Sequence, residues 1–326
     1  MKRIYCDTAA GWSNPSSIHQ EGVVAKRTLG ESRQTVAQVL RVQPDEIIFT
    51  SGGTESNNLA IFGVARAWEK THGRTGEIIT TPIEHRSILA PGEVLKKAGW
   101  KINFLPVDRE GLVNPAELKK LLKPETVLVS VGYANNEIGT IQPIHDLAKI
   151  IRSFRKPITS NLSPNTYPLF HTDACQATRF LDLNPLKLGV DLLTFNAAKI
   201  YGPNGVGALY VKRGINLEPL LYGGGQEGGY RSGSENVTVI VGLAAALEIC
   251  ARGRGRESER LSSWRDYFIT QALKLPGVEL NGSQASRLPN NVNLFISSVE
   301  AEQLVIELDA RGIACSTGSA CSLPTH

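Results

Sequence analysis

The stretch VDLLTFNAAKIYGPNGVGALYVK, residues 190–212, places two apolar runs on either side of a lysine and a glycine-rich turn. The runs at 190–198 and 205–212 have the length and residue types of buried β-strands. Lys199 therefore lies near the end of one predicted strand, before the turn into the next. A partly buried lysine at such a position has a lowered pKa and can form a Schiff base, although most lysines are solvated surface residues.

Further strands are predicted outward from this stretch by short apolar runs at 46–50, 77–81, 101–107, 126–134 and 168–174. Amphipathic segments such as 55–70 and 87–98 lie between these runs. Strands that alternate with helices of this length indicate βαβ units, and so an α/β fold whose mostly parallel seven-stranded sheet has helices on both faces. Ligands of such sheets bind at the carboxyl ends of the strands, so we expect the functional residues in the strand-to-helix loops.

The last third of the chain has a different pattern. Helical segments are predicted at 236–252 and 257–275, followed by an apolar run at 290–298, a helix at 301–311 and an end rich in serine and glycine. This pattern predicts a small α+β domain reached through a helical link. We expect a large domain at 12–254 and a small domain formed by 1–11 with 255–326.

Composition limits the classes of function. The 326 residues are 41% hydrophobic and 20% charged, and 35 basic against 31 acidic residues give a net charge of +4 without a run of like charges. Direct binding to nucleic acid is therefore not indicated. The N-terminus lacks the apolar run of a signal peptide, and no apolar stretch is long enough to span a bilayer, so we expect a cytoplasmic protein without a membrane partner.

One candidate anion site is SGGTESNN at 51–58, which follows a predicted strand and opens a predicted helix. Its glycines let the backbone approach an anion closely, and a helix N-terminus presents unpaired N–H groups together with the Thr54 hydroxyl. The alternative is a tight turn with a helix N-cap. The sequence alone leaves both interpretations open.

Polar residues also follow two other strands. HTDACQA at 171–177 places Asp173 at a strand end, where a desolvated carboxylate needs a cationic partner, with Gln176 three positions later. TPIEHRS at 81–87 places His85 where its ring could stack on an aromatic ligand. A helix-capping aspartate and a capping or core histidine are the alternatives.

The five cysteines, an odd number without a CxxC pair, leave at least one thiol free. Cys321 lies in ACSTGSACS at 314–322, a serine- and glycine-rich stretch whose mobility would let a thiol travel to a substrate. A structural free thiol is the alternative, and no metal site is predicted. The glycine-dense loop at 223–236 is expected to need a ligand or a neighbouring chain to order it.

Taken together and in this order, the motifs resemble those of the cysteine desulfurases, pyridoxal 5'-phosphate enzymes of the aminotransferase class V group with the fold-type I architecture. The resemblance covers nearly the whole chain. Its short SGSAC segment is similar to the branch that serves iron–sulfur cluster assembly and tRNA thiolation. The matching segments are IYCDTAA (4–10), NPSSIH (14–19), FTSGGTESNNLAI (49–61), ANNEIGTIQPI (134–144), HTDACQA (171–177), KIYGPNGVGALYV (199–211), RSGSEN (231–236) and TGSACS (317–322).

The resemblance implies a role for each residue around the cofactor ring. Lys199 would carry the cofactor, and Asp173 would pair with its pyridinium nitrogen. Gln176 would hydrogen-bond the ring hydroxyl oxygen, His85 would stack on the ring face, and Asn136 would line the pocket.

At the phosphate, the resemblance implies contacts from Gly53, Thr54 and Asn196. Ser234 would reach the same phosphate across a homodimer interface. Cys321 would be the nucleophile that takes sulfur from L-cysteine as a persulfide, leaving L-alanine. The sulfur would pass to an iron–sulfur scaffold or a tRNA-thiolation acceptor protein, and Cys321 could contact a nascent iron–sulfur cluster.

The sequence departs from the family pattern at several positions. Ala198 and Asn196 stand where the family usually has a histidine and a serine, and loss of an imidazole that shuttles protons predicts slow chemistry, since acid–base help is worth about 10²–10⁴-fold. The N-terminal arm is shortened to GWS at 11–13. The sequence ends at His326, earlier than the family pattern, and no residue matches the arginine that binds the substrate carboxylate, so we expect a truncated chain.

Two alternatives therefore stay open beside cysteine desulfuration. One is another reaction of the same cofactor, such as selenocysteine lysis. The other is a sulfur-trafficking or scaffold subunit that retains the fold with impaired catalysis.

Overall fold

The computed structural model describes residues 4–10, 13–155, 166–297 and 299–318. Within these ranges, the seven strands of the main sheet are β1 (Ile47–Thr50), β2 (Glu77–Thr80), β3 (Lys101–Phe104), β4 (Thr126–Ser130), β5 (Leu169–Asp173), β6 (Leu192–Asn196) and β7 (Gly207–Val211). Each lies within one of the seven runs predicted from sequence, which confirms the predicted α/β fold class.

The order of strands across this sheet is β1-β7-β6-β5-β4-β2-β3. Neighbours from β3 to β6 pair in parallel, whereas β7 runs antiparallel to both β6 and β1. All strands but β7 therefore end at the same edge of the sheet. This edge carries the loops in which the sequence predicts the functional residues.

Helices cover both faces of the sheet. Those of the described chain are α1 (Gln20–Leu40), α2 (Gly53–His72), α3 (Arg86–Lys97), α4 (Pro115–Leu121), α5 (Ile144–Phe154), α6 (Pro185–Leu188), α7 (Val237–Ala272) and α8 (Ala301–Asp309). The two faces have separate apolar cores, one including parts of α1, α5 and α7 and the other including parts of α2 and α3.

The alternation of side chains along each strand explains the two cores. Ile78 and Leu192 pack in the core with α2 and α3, while their neighbours Ile79 and Leu193 pack in the core on the other face. Successive strand residues point to opposite faces, so a sheet covered on both sides needs continuous apolar runs rather than alternating ones. These are the runs that made the strands visible in the sequence.

Helix α7 joins the two helical segments that the sequence predicts separately. Its central sequence RGRGR, at 252–256, contains two helix-weakening glycines, yet the helix continues through it. Directly after this segment, Glu257 of α7 accepts a hydrogen bond from the Arg179 side chain at 2.9 Å, which connects α7 to the segment that follows β5. The expected domain boundary at residue 254 falls inside this helix, and the division into domains stays a prediction.

The last described part contains an antiparallel hairpin, β8 (Val278–Leu280) with β9 (Leu294–Ile296), and then α8. No residue of α8 is buried. Large apolar side chains also lie exposed here, including Trp264, Tyr267, Phe295 and Ile306. None of the helices within the described ranges is both long and apolar enough to cross a bilayer.

Candidate functional site

Asp173 ends β5 at the carboxyl edge of the sheet, and both of its carboxyl oxygens are held. Asn57 Nδ2, from α2, donates to Asp173 Oδ2 at 2.6 Å. The backbone N–H of Cys175 donates to Oδ1 at 2.9 Å. Donors to both oxygens fix the direction in which the carboxyl group points.

His85 is the N-cap of α3 and is connected to Asp173 through two side chains. The backbone N–H of Ser87 donates to His85 Nδ1 at 3.1 Å, so this nitrogen acts as an acceptor. Ser87 Oγ lies 2.7 Å from the same Nδ1 and accepts from Asn57 Nδ2 at 2.8 Å. Asn57 and Ser87 thus set the orientation of His85 relative to the carboxylate.

The N-terminus of α2 packs tightly against the ends of β5 and β6. A Cβ atom on Gly53 would lie 2.7 Å from Cys175 Sγ and 3.1 Å from Asn196 Nδ2, so glycine is needed for this approach. On the other side, a Cβ atom on Gly207 would lie 2.6 Å from the carbonyl carbon of Gly52. The sheet edge and the start of α2 therefore form one continuous surface.

The start of α2 has the chemistry of an anion site. Its N-cap is Gly52, which has no side chain to satisfy the first N–H groups of the helix. Thr54 is exposed in the first turn, and in the described chain its hydroxyl has no hydrogen-bond partner. Uncapped N–H groups, a free hydroxyl and the Asn196 amide are a donor set that suits a phosphate monoester.

Lys199 follows β6 in a short 3₁₀ turn, and its backbone N–H donates to Asn196 Oδ1 at 3.2 Å. Of the two alternatives that the sequence left open, the structure has the exposed one, because β6 ends at Asn196 and the turn after it leaves Ala198 and Lys199 exposed. The amine nevertheless lies close enough to Cys175 for its charge to act on the pKa of that thiol. Because Lys199 follows the carboxyl end of β6, which pairs with β5, it lies at the same edge of the sheet as Asp173.

Cys175 is buried between the start of α2 and Asp173. Burial raises its pKa well above the usual value, the negative charge of Asp173 raises it further, and Lys199 opposes these effects only in part. The thiol therefore stays protonated and is a poor nucleophile. Of the other described cysteines, Cys6 and Cys315 are exposed and Cys250 is half-buried. The predicted nucleophile, Cys321, lies outside the described residues.

Asn136 and Gln176 lie half-buried after β4 and β5 respectively. Within the described ranges neither side chain has a hydrogen-bond partner. The neighbouring Asn135 fixes the segment that carries Asn136, because its Nδ2 donates to the carbonyl of Ile83 at 2.8 Å and its Oδ1 accepts from the backbone N–H of Glu137 at 2.8 Å. The loops after β2 and β4 are therefore joined beside the site.

The loop at 223–236 is anchored within the chain at two points, and the expectation that a ligand or a neighbouring chain also orders it stays a prediction. Glu227 forms an ion pair with Arg33 of α1 at 2.5 Å, and its side chain is only 2% exposed. Arg231 donates to Glu55 of α2 at 2.9 Å. Both partners are far away in sequence, which is why the glycine-rich composition gave no sign of them.

The contact between Arg231 and Glu55, the second anchor of the loop, is an ion pair. Burial raises the pKa of Glu55, but hydrogen bonds from Arg231 and from the backbone of Ser51 lower it by more, so the carboxyl group stays ionised. Ser234, three residues beyond Arg231, remains exposed. Its expected contact across a homodimer interface therefore stays a prediction.

Sequence reasoning identified Asp173, His85 and Lys199 but missed Asn57 and Ser87. Two signals were present. Asn57 is four residues after Gly53, so both lie on one face of α2. Likewise Ser87 follows His85 by two residues, at the spacing where a helix N-cap side chain meets a backbone N–H.

Comparisons with known proteins give a consistent result. The sequence profile of the aminotransferase class-V family matches residues 5–326. Cysteine desulfurase IscS of Dictyoglomus turgidum is 47% identical over 312 residues, which are 95% of this chain and 75% of that protein. Cysteine desulfurase IscS 1 of Archaeoglobus fulgidus is 42% identical over 315 residues, 96% of this chain and 78% of that protein.

Among solved structures, one described as a NifS-like protein superimposes with a TM-score of 0.85 at 38% sequence identity. The superposition covers 93% of this chain and 79% of that chain.

Proposed function

The chain belongs to the aminotransferase class-V family and, within it, to the cysteine desulfurases, and we propose that the sheet edge around Asp173 is its active site. The reaction converts L-cysteine to L-alanine and supplies the sulfur to other molecules. The observation that carries the assignment of the site is the convergence of Asp173, His85 and Lys199 with the uncapped start of α2. The relatives' name favours this function over the other lyase reaction and the non-catalytic scaffold.

Pyridoxal 5'-phosphate is the cofactor that fits this set of groups. Asp173, held in direction by Asn57, would face the protonated ring nitrogen, and His85 would stack on the ring. Gln176 and Asn136, whose polar groups have no partners in the described chain, are available to the ring hydroxyl and the pocket wall. When bound, this cofactor withdraws electrons from the substrate and makes its α-proton acidic.

The phosphate of the cofactor would bind at the start of α2. Gly53 and Thr54 offer backbone N–H groups and a hydroxyl, and Asn196 offers an amide in place of the family's usual serine. Ser234 of the partner subunit would complete the site in a homodimer. The exposed position of Ser234 within one protomer is consistent with such a contact.

Lys199 would hold the cofactor and then serve the substrate. Its Nζ can accept the α-proton of the bound cysteine and return a proton to the product. Ala198 has no ring nitrogen to share that task, so proton transfer depends on Lys199 and the reaction should be slow. The exposure of the amine leaves it accessible to both molecules.

Cys321 would receive the sulfur. Its thiolate attacks the sulfur of the substrate, the S–S bond of a persulfide forms, and the C–S bond of the substrate breaks. The substrate carbon takes up a proton, so cysteine and one protein thiol give alanine and one persulfide, without an external oxidant. Among the cysteines of the described ranges, Cys175 lies at the site, but its raised pKa makes it unsuited to this attack.

The persulfide would then pass to an acceptor protein of iron–sulfur cluster assembly or tRNA thiolation, in the cytoplasm. The sulfur on Cys321 could also contact a nascent iron–sulfur cluster. Either transfer needs an exposed thiol, and Cys315, at the start of the same segment, is exposed.

The test is an assay of alanine and persulfide formation from L-cysteine with the cofactor-loaded protein. Wild type should form both products, Cys321→Ser should bind the cofactor and form no persulfide, and Cys315→Ser, as matched control, should behave as wild type. Cofactor binding with no alanine formed would overturn the proposal in favour of the scaffold. Normal sulfur transfer by Cys321→Ser would overturn the choice of nucleophile.

A further inference from the structure

The Glu84 carboxyl group joins two of the loops that form the site, and the proposed reaction does not use it. Thr81 Oγ1 donates to Glu84 Oε1 at 2.7 Å. The backbone N–H of Gly132 lies 3.0 Å from each of the two carboxyl oxygens. The carboxyl group therefore ties the end of β2, which leads to His85, to the end of β4, which leads to Asn136.

Glu84 also lies close to Asp173. A Cβ atom on Gly132 would be 2.9 Å from Glu84 Oε2 and 3.9 Å from the carbonyl oxygen of Asp173. The next residue, Tyr133, donates its backbone N–H to that carbonyl oxygen at 2.8 Å. The carboxyl ends of β2, β4 and β5 are thus held side by side, with Glu84 at the first junction and Asp173 at the second.

The Glu84 carboxyl titrates near neutral pH. Its pKa is raised to about 7, mainly by burial and in smaller part by the charge of Asp173, while hydrogen bonds from Gly132 and Thr81 act in the opposite direction. Burial lowers the pKa of His171 on β5 to about 4 and raises that of Tyr133 after β4, so both are uncharged near neutral pH. Arg86, two residues after Glu84, is paired with Glu93 on α3. Asp173 is the charged group that acts on the pKa of Glu84.

We propose that Glu84 is a positioning residue whose proton sets the charge beside Asp173 while its oxygens hold the His85 and Asn136 loops together. The role of Glu84 in the protein without cofactor stands apart from the proposed function, whereas its effect on cofactor binding rests on that function. A cationic ring nitrogen against Asp173 stabilises the ionised form of Glu84, because opposite charges attract strongly at a partly buried site. Binding of the cofactor at neutral pH should therefore release the Glu84 proton to the solvent.

The first test uses the protein without cofactor. Glu84→Gln keeps an oxygen that accepts from Gly132 and Thr81 but cannot ionise. Since the folded protein binds the Glu84 proton more tightly than the unfolded chain, the stability due to this group is present at low pH and is lost as pH rises to about 7. Relative to Glu84→Gln, the wild-type unfolding constant should increase about tenfold per pH unit between pH 5 and 7.

Matched variants keep this test decisive. Glu93→Gln, at an exposed position on α3, should show no such change relative to wild type. Thr81→Val removes a hydrogen bond that lowers the pKa of Glu84, so the pH-dependent loss of stability should occur at higher pH in this variant. This variant provides the test if Glu84→Gln does not fold. The proposal is overturned if the ratio of the unfolding constants of wild type and Glu84→Gln does not change with pH. It is also overturned if Thr81→Val loses stability over the same pH range as wild type.

The second test measures protons released when pyridoxal 5'-phosphate is added at pH 7 in weak buffer, with the visible absorbance recorded as a function of pH. Wild type should release more protons than Glu84→Gln, and the two absorbance profiles should have different midpoints. Equal release and equal midpoints overturn this inference and leave the proposed function intact. If wild type binds no cofactor, the proposed function fails, and the first test still decides the role of Glu84.

Discussion

Asn57 Nδ2 lies 2.6 Å from Asp173 Oδ2, so helix α2 aims the carboxylate that ends β5. The same amide nitrogen reaches Ser87 Oγ at 2.8 Å, and that hydroxyl contacts His85. One buried side chain therefore sets two groups that the cofactor ring would touch. This relationship gives the first prediction.

Asn57→Ala should weaken binding of pyridoxal 5'-phosphate by about 10- to 100-fold, since a hydrogen bond to a charged group contributes roughly 1.5–3 kcal/mol. The loss should be visible as a higher dissociation constant in an absorbance titration. Asn281→Ala, at an exposed asparagine of the β8–β9 hairpin region, is the control and should bind as wild type. Unchanged affinity in Asn57→Ala would contradict the proposed orienting role.

Gly53→Ala should destabilise the fold by about 1–3 kcal/mol, because its Cβ would meet Cys175 Sγ at 2.7 Å. Adding Cys175→Ala removes that sulfur and should recover most of the loss, as a double-mutant cycle by urea denaturation would show. Gly30→Ala is the matched control. Nothing lies within 4 Å of the added methyl group in α1, so that change should leave stability equal or slightly higher. Strict additivity of the two site substitutions would disprove the contact.

Lys199→Ala should abolish the visible absorbance of the bound cofactor and all formation of alanine. The exposed Lys96 of α3 provides the control, and Lys96→Ala should retain both properties. Reduction with borohydride followed by mass spectrometry should place the pyridoxyl group on Lys199 in wild type. A label on another lysine would show that the site is elsewhere.

A structural feature of this protein could be predicted from the sequence when it depends on residues that are close together in the chain. Each strand of the main sheet is a short apolar run, and Asp173 and Lys199 follow such runs directly, so both were predictable. The order of the 223–236 loop was not, because Arg33 and Glu227 are 194 positions apart and Glu55 and Arg231 are 176 apart. Asn57 lay within a quoted motif, but its contact with Asp173 requires two elements to be folded together.

The ion pair between Arg33 and Glu227 can be tested by measuring the free energy of unfolding. Arg33→Ala leaves the carboxylate of Glu227, which is 2% exposed, without its cationic partner, and should cost about 3–5 kcal/mol in the free energy of unfolding. Arg27→Ala, in the same helix, removes an ion pair in which both side chains are 70% exposed, and should cost at most about 0.5 kcal/mol. Similar losses in the two variants would mean that the 223–236 loop is not held by Arg33.

The buried imidazole of His171 should make the protein sensitive to acid. Ser130 Oγ lies 2.9 Å from its Nδ1 and Thr194 Oγ1 lies 3.1 Å from its Nε2, and burial lowers its pKa from 6.5 to about 4. Between these values the unfolded chain binds the extra proton, so stability should fall as pH is lowered, by up to about 3 kcal/mol. Glu84 has the opposite dependence over most of this range, so the loss should be clearest in Glu84→Gln, measured by urea denaturation from pH 7 to 4. In that background His171→Gln should make the free energy of unfolding nearly independent of pH. His145→Gln, at an exposed histidine, should leave the pH dependence unchanged. A pH dependence that stays steep without His171 would assign the acid sensitivity to another group.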